Sequence, residues 1–513
     1  MGKIYREKTA VTLGEPVTLE DFVAAARYGL PVRLSQDSEE RVERSEQVLR
    51  QWIGQGRAIY GATTGLGALC DCPVSPEDAL QMQKNILRSH AVSVGEPLRE
   101  EQARGVMVLV IQNLSAGHSG VRNCLLSKYM ELLNKGVTPW SPGSGSVGYL
   151  SPEAHIALAL TGEGKAYYRG ELTSASEALE KAGVQPLQLQ LREALAVISG
   201  TTSATALGAL ALHDMLQAAK TADVIAAMNV EVCGGRTEAF HEKVMAVRPH
   251  EKQADTAANL RRLLKGSDCS DRKGDRPMQD PLSIRCIPQL HGAAKTLLGD
   301  ARRTLEIEMN ACCDNPVIFA EDGGEIFSAC NADASFTGMA MDSAAIAAAG
   351  LAKMSERRTY RLLDGSVPGL PEFLIREPGI NSGLMIVQYA QAGLLNEMRI
   401  LASPASVDSV PTCAGQEDYV SMGYNAAKKA AEIAEKLEYI LAIELLAVSQ
   451  AGNMGREKDS FSPCVRGLLE ETAKIVPVIE KDVYLHGYME ELRQMIHSGG
   501  LLAAAEELAG VLD

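Results

Sequence analysis

Four long stretches with helical periodicity constrain the fold of this 513-residue chain more than any other feature. Their approximate bounds are 290–310, 336–363, 383–402 and 425–449. In the last stretch, Ile433, Leu437 and Leu441 recur at a spacing of four, with charged residues between them. Small residues such as those at 345–350 allow helices to pack closely. These patterns predict a mainly α-helical chain, built as a large elongated helical bundle with a smaller N-terminal part.

Clusters of glycine, proline and serine mark the predicted loops at 59–67, 140–148 and 265–281. They lead to a three-part division of the chain. An N-terminal part with catalytic loops is expected at 1–137, a central helical bundle at 138–450 and a C-terminal helical cap at 451–513. The least charged run, 194–213, contains several serine and threonine residues, so we expect a buried helix rather than a membrane span.

Composition narrows the class of protein. The formal charge of −15 argues against nucleic acid and anionic membranes as partners. The first eight residues turn polar before an apolar core could form, so we expect no signal peptide and a cytoplasmic protein. The 11 cysteines show no spacing typical of a metal site, which indicates reduced thiols and no bound metal.

Four motifs carry side chains that could do chemistry, and each also has an ordinary structural explanation. Tyr60-Gly61, before a glycine-rich turn, is either a catalytic tyrosine or only part of the turn. His90 is either a substrate contact or a satisfied core histidine. The segment 278–286 is either a binding segment or a salt-bridged helix entry. Gln416-Glu417-Asp418 is either an active-site motif or a helix cap stabilised by the helix dipole.

Taken in order along the chain, these motifs resemble the histidine and aromatic amino acid ammonia-lyase family over nearly the whole sequence. Tyr60 resembles the family's general base, and His90 resembles the histidine that faces the substrate ring. Gln279 and Arg285 match a central segment whose arginine grips the substrate carboxylate. Glu417 matches the family's active-site carboxylate. The resemblance implies the family's helical bundle and a homotetramer with active sites shared between subunits, so these residues need not come from one chain.

The departures from the family cluster on the machinery that releases the amine. In the family, a Gly-Ser-Val-Gly turn runs into Ala-Ser-Gly, which cyclises to the electrophile methylidene-imidazolone. Here Gly148 is followed at once by Tyr149-Leu150. Ser199 stands where the family has asparagine, Leu282 replaces a second tyrosine, and Asn331 is followed by alanine rather than phenylalanine. The sequence therefore predicts a family member without this cofactor.

A free amine is a poor leaving group, so a lyase without an electrophile should use a substrate with a better one. A quaternary ammonium leaves as a neutral tertiary amine. The leading expectation is therefore a carbon–nitrogen lyase of the ergothionase type, which eliminates trimethylamine from a small aromatic amino-acid betaine, as from ergothioneine to thiourocanate. The expected catalytic residues are Tyr60, Glu417 and Tyr149. The expected substrate-binding residues are His90, Arg285, Gln279, Ser199 and Asn331.

Within this expectation Tyr60 takes the β-proton and needs a lowered pKa, while Arg285 fixes the α-carboxylate. Glu417 and Tyr149 would face the ammonium group, although Tyr149 could also be a packing residue. Two alternatives stay open. One is an ammonia-lyase that uses methylidene-imidazolone and acts on histidine or another aromatic amino acid. The other is an isomerase, a racemase or a non-catalytic protein on the same scaffold.

Overall fold

The computed structural model describes residues 8–268, 278–455 and 460–513. In chain order the α-helices are Leu19–Ala26 (α1), Gln36–Gly54 (α2), Ala79–His90 (α3), Glu100–Ser115 (α4), Asn123–Lys135 (α5), Ser151–Leu160 (α6), Ala175–Ala182 (α7), Glu193–Ile198 (α8), Thr202–Cys233 (α9), Glu242–Ala246 (α10), Glu251–Leu263 (α11), Leu282–Arg285 (α12), Ile287–Met309 (α13), Ser335–Leu363 (α14), Val387–Leu401 (α15), Gly423–Met454 (α16), Pro463–Ala473 (α17), His486–His497 (α18) and Gly500–Ala509 (α19). The predicted helical bundle is confirmed.

Within the described ranges, short strands form four small sheets. In chain order the strands are Val11–Leu13 (β1), Val32–Leu34 (β2), Val94–Pro97 (β3), Val137–Pro139 (β4), Pro142–Ser144 (β5), Lys165–Tyr168 (β6), Glu171–Ser174 (β7), Val317–Phe319 (β8) and Glu325–Phe327 (β9). The β1–β2 pair is parallel, with Val11 opposite Val32, whereas β3–β5, β4–β6–β7 and β8–β9 are antiparallel. The β3–β5 pair holds the chain directly before the Gly145–Gly148 turn.

The four predicted helical stretches correspond to α13, α14, α15 and α16. Helix α9 has 32 residues, and the sequence predicts only its first part. The helix is apolar around most of its circumference, so its sequence shows no amphipathic period from which its full length could be predicted. By length and composition alone, Glu193–Cys233 could cross a membrane, but its most apolar window lies entirely inside the protein. A core helix of this kind fits the expectation for 194–213. The division of the chain at 137 and 450 stays a prediction.

Helices α9, α14 and α16 begin at the same end of the bundle. A Cβ on Gly148 would lie 3.0 Å from Ser421 Oγ and 3.3 Å from Ala334 Cβ, and these two residues precede α16 and α14. The Leu150 amide donates to the Ile198 carbonyl at 3.2 Å, shortly before α9. Helix N-termini carry partial positive charge. Three such N-termini lie near the Gly145–Gly148 turn and therefore place partial positive charge beside it.

Candidate active site

A cavity of about 720 Å³ lies at this end of the bundle. Its wall is formed by the loop after Tyr60, helix α3, the start of α8 and the loop before α16. Eight apolar residues line it: Leu66, Leu69, Pro73, Val74, Met82, Ile86, Leu150 and Leu195. Its polar lining residues are Tyr60, Ser75, Asp78, Gln81, Asn85, Ser89, His90, Thr412 and Glu417. A pocket that combines apolar walls with polar groups is typical of a small-molecule site.

Tyr60 is half-buried in the cavity wall, and its hydroxyl accepts a hydrogen bond from the Gly67 amide at 2.8 Å. Gly61 has φ +74°, and a Cβ there would lie 2.4 Å from Leu195 Cδ2, so the Tyr60-Gly61 pair requires glycine. Burial raises the pKa of Tyr60 above its ordinary value, the Gly67 amide acts in the opposite direction, and Glu417 raises the pKa further. The lowered pKa expected for a tyrosine base is therefore not produced within one chain.

His90 closes helix α3 and also lies in the cavity wall. Its Nδ1 is 2.8 Å from the Ile86 carbonyl oxygen. A carbonyl only accepts, so Nδ1 donates, and the neutral ring then presents Nε2 as an acceptor. Within the described part of the chain, Nε2 has no hydrogen-bond partner. His90 can therefore accept a hydrogen bond from a ring N–H of a bound molecule.

Glu417 contributes a carboxylate to the cavity. Its Oε2 accepts from the Tyr149 hydroxyl at 3.0 Å and from Thr412 Oγ1 at 3.1 Å. The Thr412 amide also donates to the Glu417 carbonyl at 2.7 Å, which closes a tight loop. Across residues 8–268, 278–455 and 460–513, no hydrogen bond uses Oε1. One carboxylate oxygen is thus fixed and the other remains available.

Tyr149 leaves the turn beside the cavity and reaches Glu417 through its hydroxyl. Burial raises the pKa of Tyr149, and the charge of Glu417 raises it further, so the phenol keeps its proton. Leu150, the next residue, has φ +80°, which is a strained conformation for a residue other than glycine. The turn therefore directs Tyr149 toward Glu417 at a conformational cost.

Arg285 and Gln279 lie outside the cavity of the same chain. The Arg285 Nε donates to the Asp280 carbonyl at 3.0 Å, and Gln279 is exposed. A Cβ on Gly235 would lie 3.1 Å from Ile284 Cγ2, which places this segment beside the C-terminal end of α9. The cavity is at the N-terminal end of α9, and 32 helical residues span about 48 Å. Arg285 therefore cannot reach a substrate held by Tyr60 in its own chain.

Ser199 and Asn331 lie near the turn but do not line the cavity. Ser199 is buried, and its hydroxyl accepts from the Asn315 amide at 3.3 Å. Asn331 is exposed and donates to the Cys312 carbonyl at 3.3 Å. Both side chains hold loops together in this structure, so their expected contact with substrate stays a prediction.

Among the cavity residues that the sequence prediction missed are Thr412 and Leu195. Thr412 holds the Glu417 carboxylate, and its position in the polar loop before Gln416-Glu417-Asp418 was the available signal. Leu195 packs against the Tyr60-Gly61 turn from helix α8. Nothing in its apolar surroundings in the sequence separates it from an ordinary core residue.

Within the described ranges, Asp214, Glu438 and His497 have ligand atoms within 4.8 Å of one another, a spacing that could hold a metal ion. Arg27 already binds Asp214 through two nitrogen atoms, at 2.5 and 2.8 Å. Arg493 approaches Glu438 to 3.3 Å. These arginines supply the positive charge that a metal would bring, so the cluster is an ion-pair network.

The fold and cavity define a helical-bundle enzyme with a tyrosine, a histidine and a carboxylate in one site. A family model for aromatic amino acid lyases matches residues 17–474, and the chain belongs to this family of carbon–nitrogen lyases. It is 43% identical to a histidine ammonia-lyase of Symbiobacterium thermophilum over 508 residues, which is 98% of this chain and 100% of the relative. It is 41% identical to a histidine ammonia-lyase of Streptococcus gordonii over 498 residues, covering 96% and 97% of the two chains.

Solved structures give the same family. A tyrosine aminomutase from Streptomyces globisporus has a TM-score of 0.94 and 33% identity, with 98% of this chain and 99% of the other covered. The ergothioneine-degrading ergothionase of Treponema denticola has a TM-score of 0.89 and 28% identity, with 96% and 99% covered.

These relatives correct the expected reaction. The sequence led us to expect elimination of trimethylamine from an aromatic amino-acid betaine. The curated relatives, at 41% and 43% identity over nearly the whole chain, are named histidine ammonia-lyase, whereas the ergothionase is 28% identical. The expectation of an ergothionase-type reaction is therefore wrong, and the alternative of an ammonia-lyase that uses methylidene-imidazolone is better supported.

The family's electrophile does not fit the residues of this turn. The chain passes from Gly148 directly to Tyr149-Leu150, so the Ala-Ser-Gly that would cyclise is not there. The Tyr149 hydroxyl is bound to Glu417, and Ser199 stands in place of the asparagine that supports the electrophile. Catalysis without this electrophile stays a prediction.

Proposed function

We propose that this protein is an ammonia-lyase that acts on histidine and forms the corresponding α,β-unsaturated acid and ammonia. The observation that carries the proposal is identity above 40% to histidine ammonia-lyases over nearly the full chain. The cavity supports it, because His90 offers an acceptor that matches the N–H of an imidazole ring. A phenylalanine ring has no such donor, so histidine is favoured over phenylalanine.

Tyr60 is the proposed base that removes the β-proton. It lies in the same cavity as His90, so the ring bound by His90 brings the adjacent β-carbon to the cavity that Tyr60 lines. The raised pKa of Tyr60 requires a positive charge from outside its own chain to stabilise the phenolate. Two sources of that charge are the substrate ammonium group and Arg285 of another subunit.

The proposed carboxylate anchor is Arg285 from a second copy of the chain. No lysine or arginine lines the cavity among the residues that the structure describes. Arg285 is half-buried at the far end of α9, and the apolar residues Met278 and Leu282 beside it are 87% and 59% exposed. A homotetramer in the cytoplasm that pairs opposite ends of two bundles would complete the site and cover these residues.

The first experiment incubates purified protein separately with L-histidine, L-phenylalanine and L-tyrosine and follows the products by proton NMR, with ammonia measured in parallel. The expected result is urocanate and ammonia in equal amounts from histidine, with slower or no turnover of the other two. Tyr60→Phe is the matched inactive control. A β-amino acid product would contradict the proposal, and so would trimethylamine release from a betaine without ammonia from any amino acid.

A complementation experiment tests the shared site. Tyr60→Phe and Arg285→Ala are each expected to be inactive alone. If Tyr60 and Arg285 of one site come from different chains, co-expression of both variants restores about one quarter of the sites by random mixing. If both variants remain inactive in mixed oligomers, the shared-site proposal is wrong, while turnover by the wild-type protein would still support the ammonia-lyase reaction.

A further inference from the structure

Glu417 and Tyr149 form a hydrogen-bonded unit beside the turn where the family forms its electrophile. Glu417 Oε2 is held by two hydroxyl donors, Tyr149 at 3.0 Å and Thr412 at 3.1 Å. Two donors on one oxygen fix the rotation of the carboxylate and leave Oε1 without a partner among the described residues. A carboxylate held in this way is prepared to receive a cation from the cavity.

We propose that Glu417 Oε1 binds the substrate ammonium group and that the amine leaves directly from this protonated form, with Tyr149 as the residue that positions Glu417. This inference rests on the proposed ammonia-lyase function and adds how the leaving group departs. Tyr149 acts through Glu417, so it is a positioning residue, whereas Glu417 touches the substrate.

The step balances without a covalent adduct. Tyr60, as the phenolate, takes a proton from the β-carbon, and the electrons of that C–H bond become the double bond between the α- and β-carbons. The bond between the α-carbon and nitrogen breaks, and its electron pair stays on nitrogen. Because the nitrogen is already fully protonated, neutral ammonia leaves. The products are one unsaturated acid, one ammonia and one proton on Tyr60.

The charges around Glu417 explain why a cation should bind there. The titratable groups that interact electrostatically with its carboxylate are Tyr60, Tyr149 and Cys330, and Cys413 also lines the cavity. Each of these groups is neutral or negative. Glu417 also opposes ionisation of Tyr60, so an ammonium group between them would stabilise both anions. Substrate binding would then supply part of the charge that the Tyr60 phenolate needs.

The first test of this inference uses the wild-type enzyme and nucleophiles. A methylidene-imidazolone is an electrophile, so borohydride or cyanide would attack it and inactivate an enzyme that depends on it. We expect full histidine turnover after either treatment, and an unmodified mass for the peptide across residues 140–155. Inactivation together with a changed peptide mass would overturn direct departure of the amine.

The second test compares kcat with KM for histidine in variants of the residues that orient Glu417. Tyr149→Phe removes one of the two donors that hold Glu417 Oε2, so kcat should fall about tenfold while KM changes little. Thr412→Val removes the other donor and should lower kcat in the same way. Glu417→Gln should lower kcat/KM about 100-fold or more.

Tyr439→Phe is the matched control, because the Tyr439 hydroxyl also donates to a carboxylate, Glu490, at 2.9 and 3.0 Å outside the cavity. It should leave kcat and KM unchanged. If the wild type turns over histidine but neither Tyr149→Phe nor Thr412→Val lowers kcat, the positioning role is wrong and the lyase proposal stands. If the wild type releases no ammonia from any amino acid, both proposals fall.

Discussion

Glu417 in the cavity and Glu444 in the centre of the bundle are carboxylates in opposite situations. Glu444 is fully buried and binds Arg358 through both oxygens, at 2.6 and 3.0 Å, while Asn229 donates to Oε1 at 2.7 Å. These contacts join helices α14, α16 and α9. Glu417 is half-buried, is held through one oxygen only, and has no positive partner among the described residues.

Glu444 carries a charge that holds helices together, whereas Glu417 carries a charge that is available to bind a ligand. The buried charge of Glu444 is tolerated because every oxygen has a partner, and the removal of one partner leaves the other uncompensated. The binding capacity of Glu417 is only half used, and the cavity beside it can admit an ion. Substitutions at the centre of the bundle should therefore change stability, and substitutions at the cavity should change catalysis.

The largest expected effect is at the cavity. Tyr60→Phe removes the proposed base and should lower kcat/KM for histidine about 1,000-fold, or about 4 kcal/mol of transition-state stabilisation. The melting temperature should stay close to that of the wild type, because the lost hydroxyl accepts only the Gly67 amide in a half-buried position. Steady-state kinetics and thermal unfolding of the same preparation check both results. A variant that keeps its turnover would remove Tyr60 from the mechanism.

At the centre of the bundle, Glu444→Gln should lower the free energy of unfolding by about 3 kcal/mol, because Arg358 becomes a buried charge without an anion. Denaturant unfolding measures this loss, and kcat per folded molecule should be unchanged. The control is Asp300→Asn, which breaks the exposed Asp300–Arg303 pair and should cost less than about 0.5 kcal/mol. Equal losses in the two variants would contradict the comparison.

The helix that carries Glu444 and the motif that contains Glu417 could be predicted from the sequence, but the environment of each carboxylate could not. The amphipathic period gave helices α13 to α16, whereas α9 lacks the period because its neighbours surround it. Glu444 lies inside a predicted helix, and no local pattern separates a buried glutamate from one facing solvent. Its partner Arg358 is 86 residues away, so only the packing of two helices reveals the pair.

For the cavity, the resemblance to the family named Tyr60, His90 and Glu417, and the fold brings all three to one wall. It also named Arg285, which the fold places about 48 Å away along α9. Local sequence does not encode this separation, because it depends on the direction of a long helix. Thr412 was missed since a threonine in a polar loop has many ordinary uses. The contact between Tyr149 and Glu417 joins positions 268 residues apart.

The raised pKa of Tyr60 should make the reaction in the cavity depend on pH. Because the pKa of Tyr60 is raised, the active phenolate is scarce at neutral pH and accumulates as pH rises. In the range below the pKa of Tyr60, kcat/KM should therefore increase about tenfold per pH unit above neutrality. Kinetics between pH 7 and 9 measure the slope, with urocanate stability checked at each pH. A flat profile would require another base.

The smallest expected effect concerns a carboxylate whose environment is intermediate between those of Glu417 and Glu444. His497 on α18 contacts Glu438 on α16 at 2.8 Å. The hydrogen bond to Glu438 raises the pKa of His497, so the folded state binds this proton more tightly than the unfolded state. The stabilisation is complete below the ordinary histidine pKa of about 6.5 and is lost as pH rises through the raised value. Glu438 keeps Arg493 as a second partner at 3.3 Å, so the loss should be small.

Urea unfolding at pH 6 and pH 8 should show that the wild type loses about 0.5 to 1 kcal/mol more stability than His497→Gln over this interval. His486→Gln is the matched control, because His486 is exposed on the same helix and stands 3.9 Å from Glu490. It should lose as much stability as the wild type. If His497→Gln also does so, the contact carries no pH-dependent energy. This pair of a buried carboxylate and a partly buried histidine then contributes as little as an ordinary surface pair, because Arg493 still compensates Glu438 when His497 loses its proton.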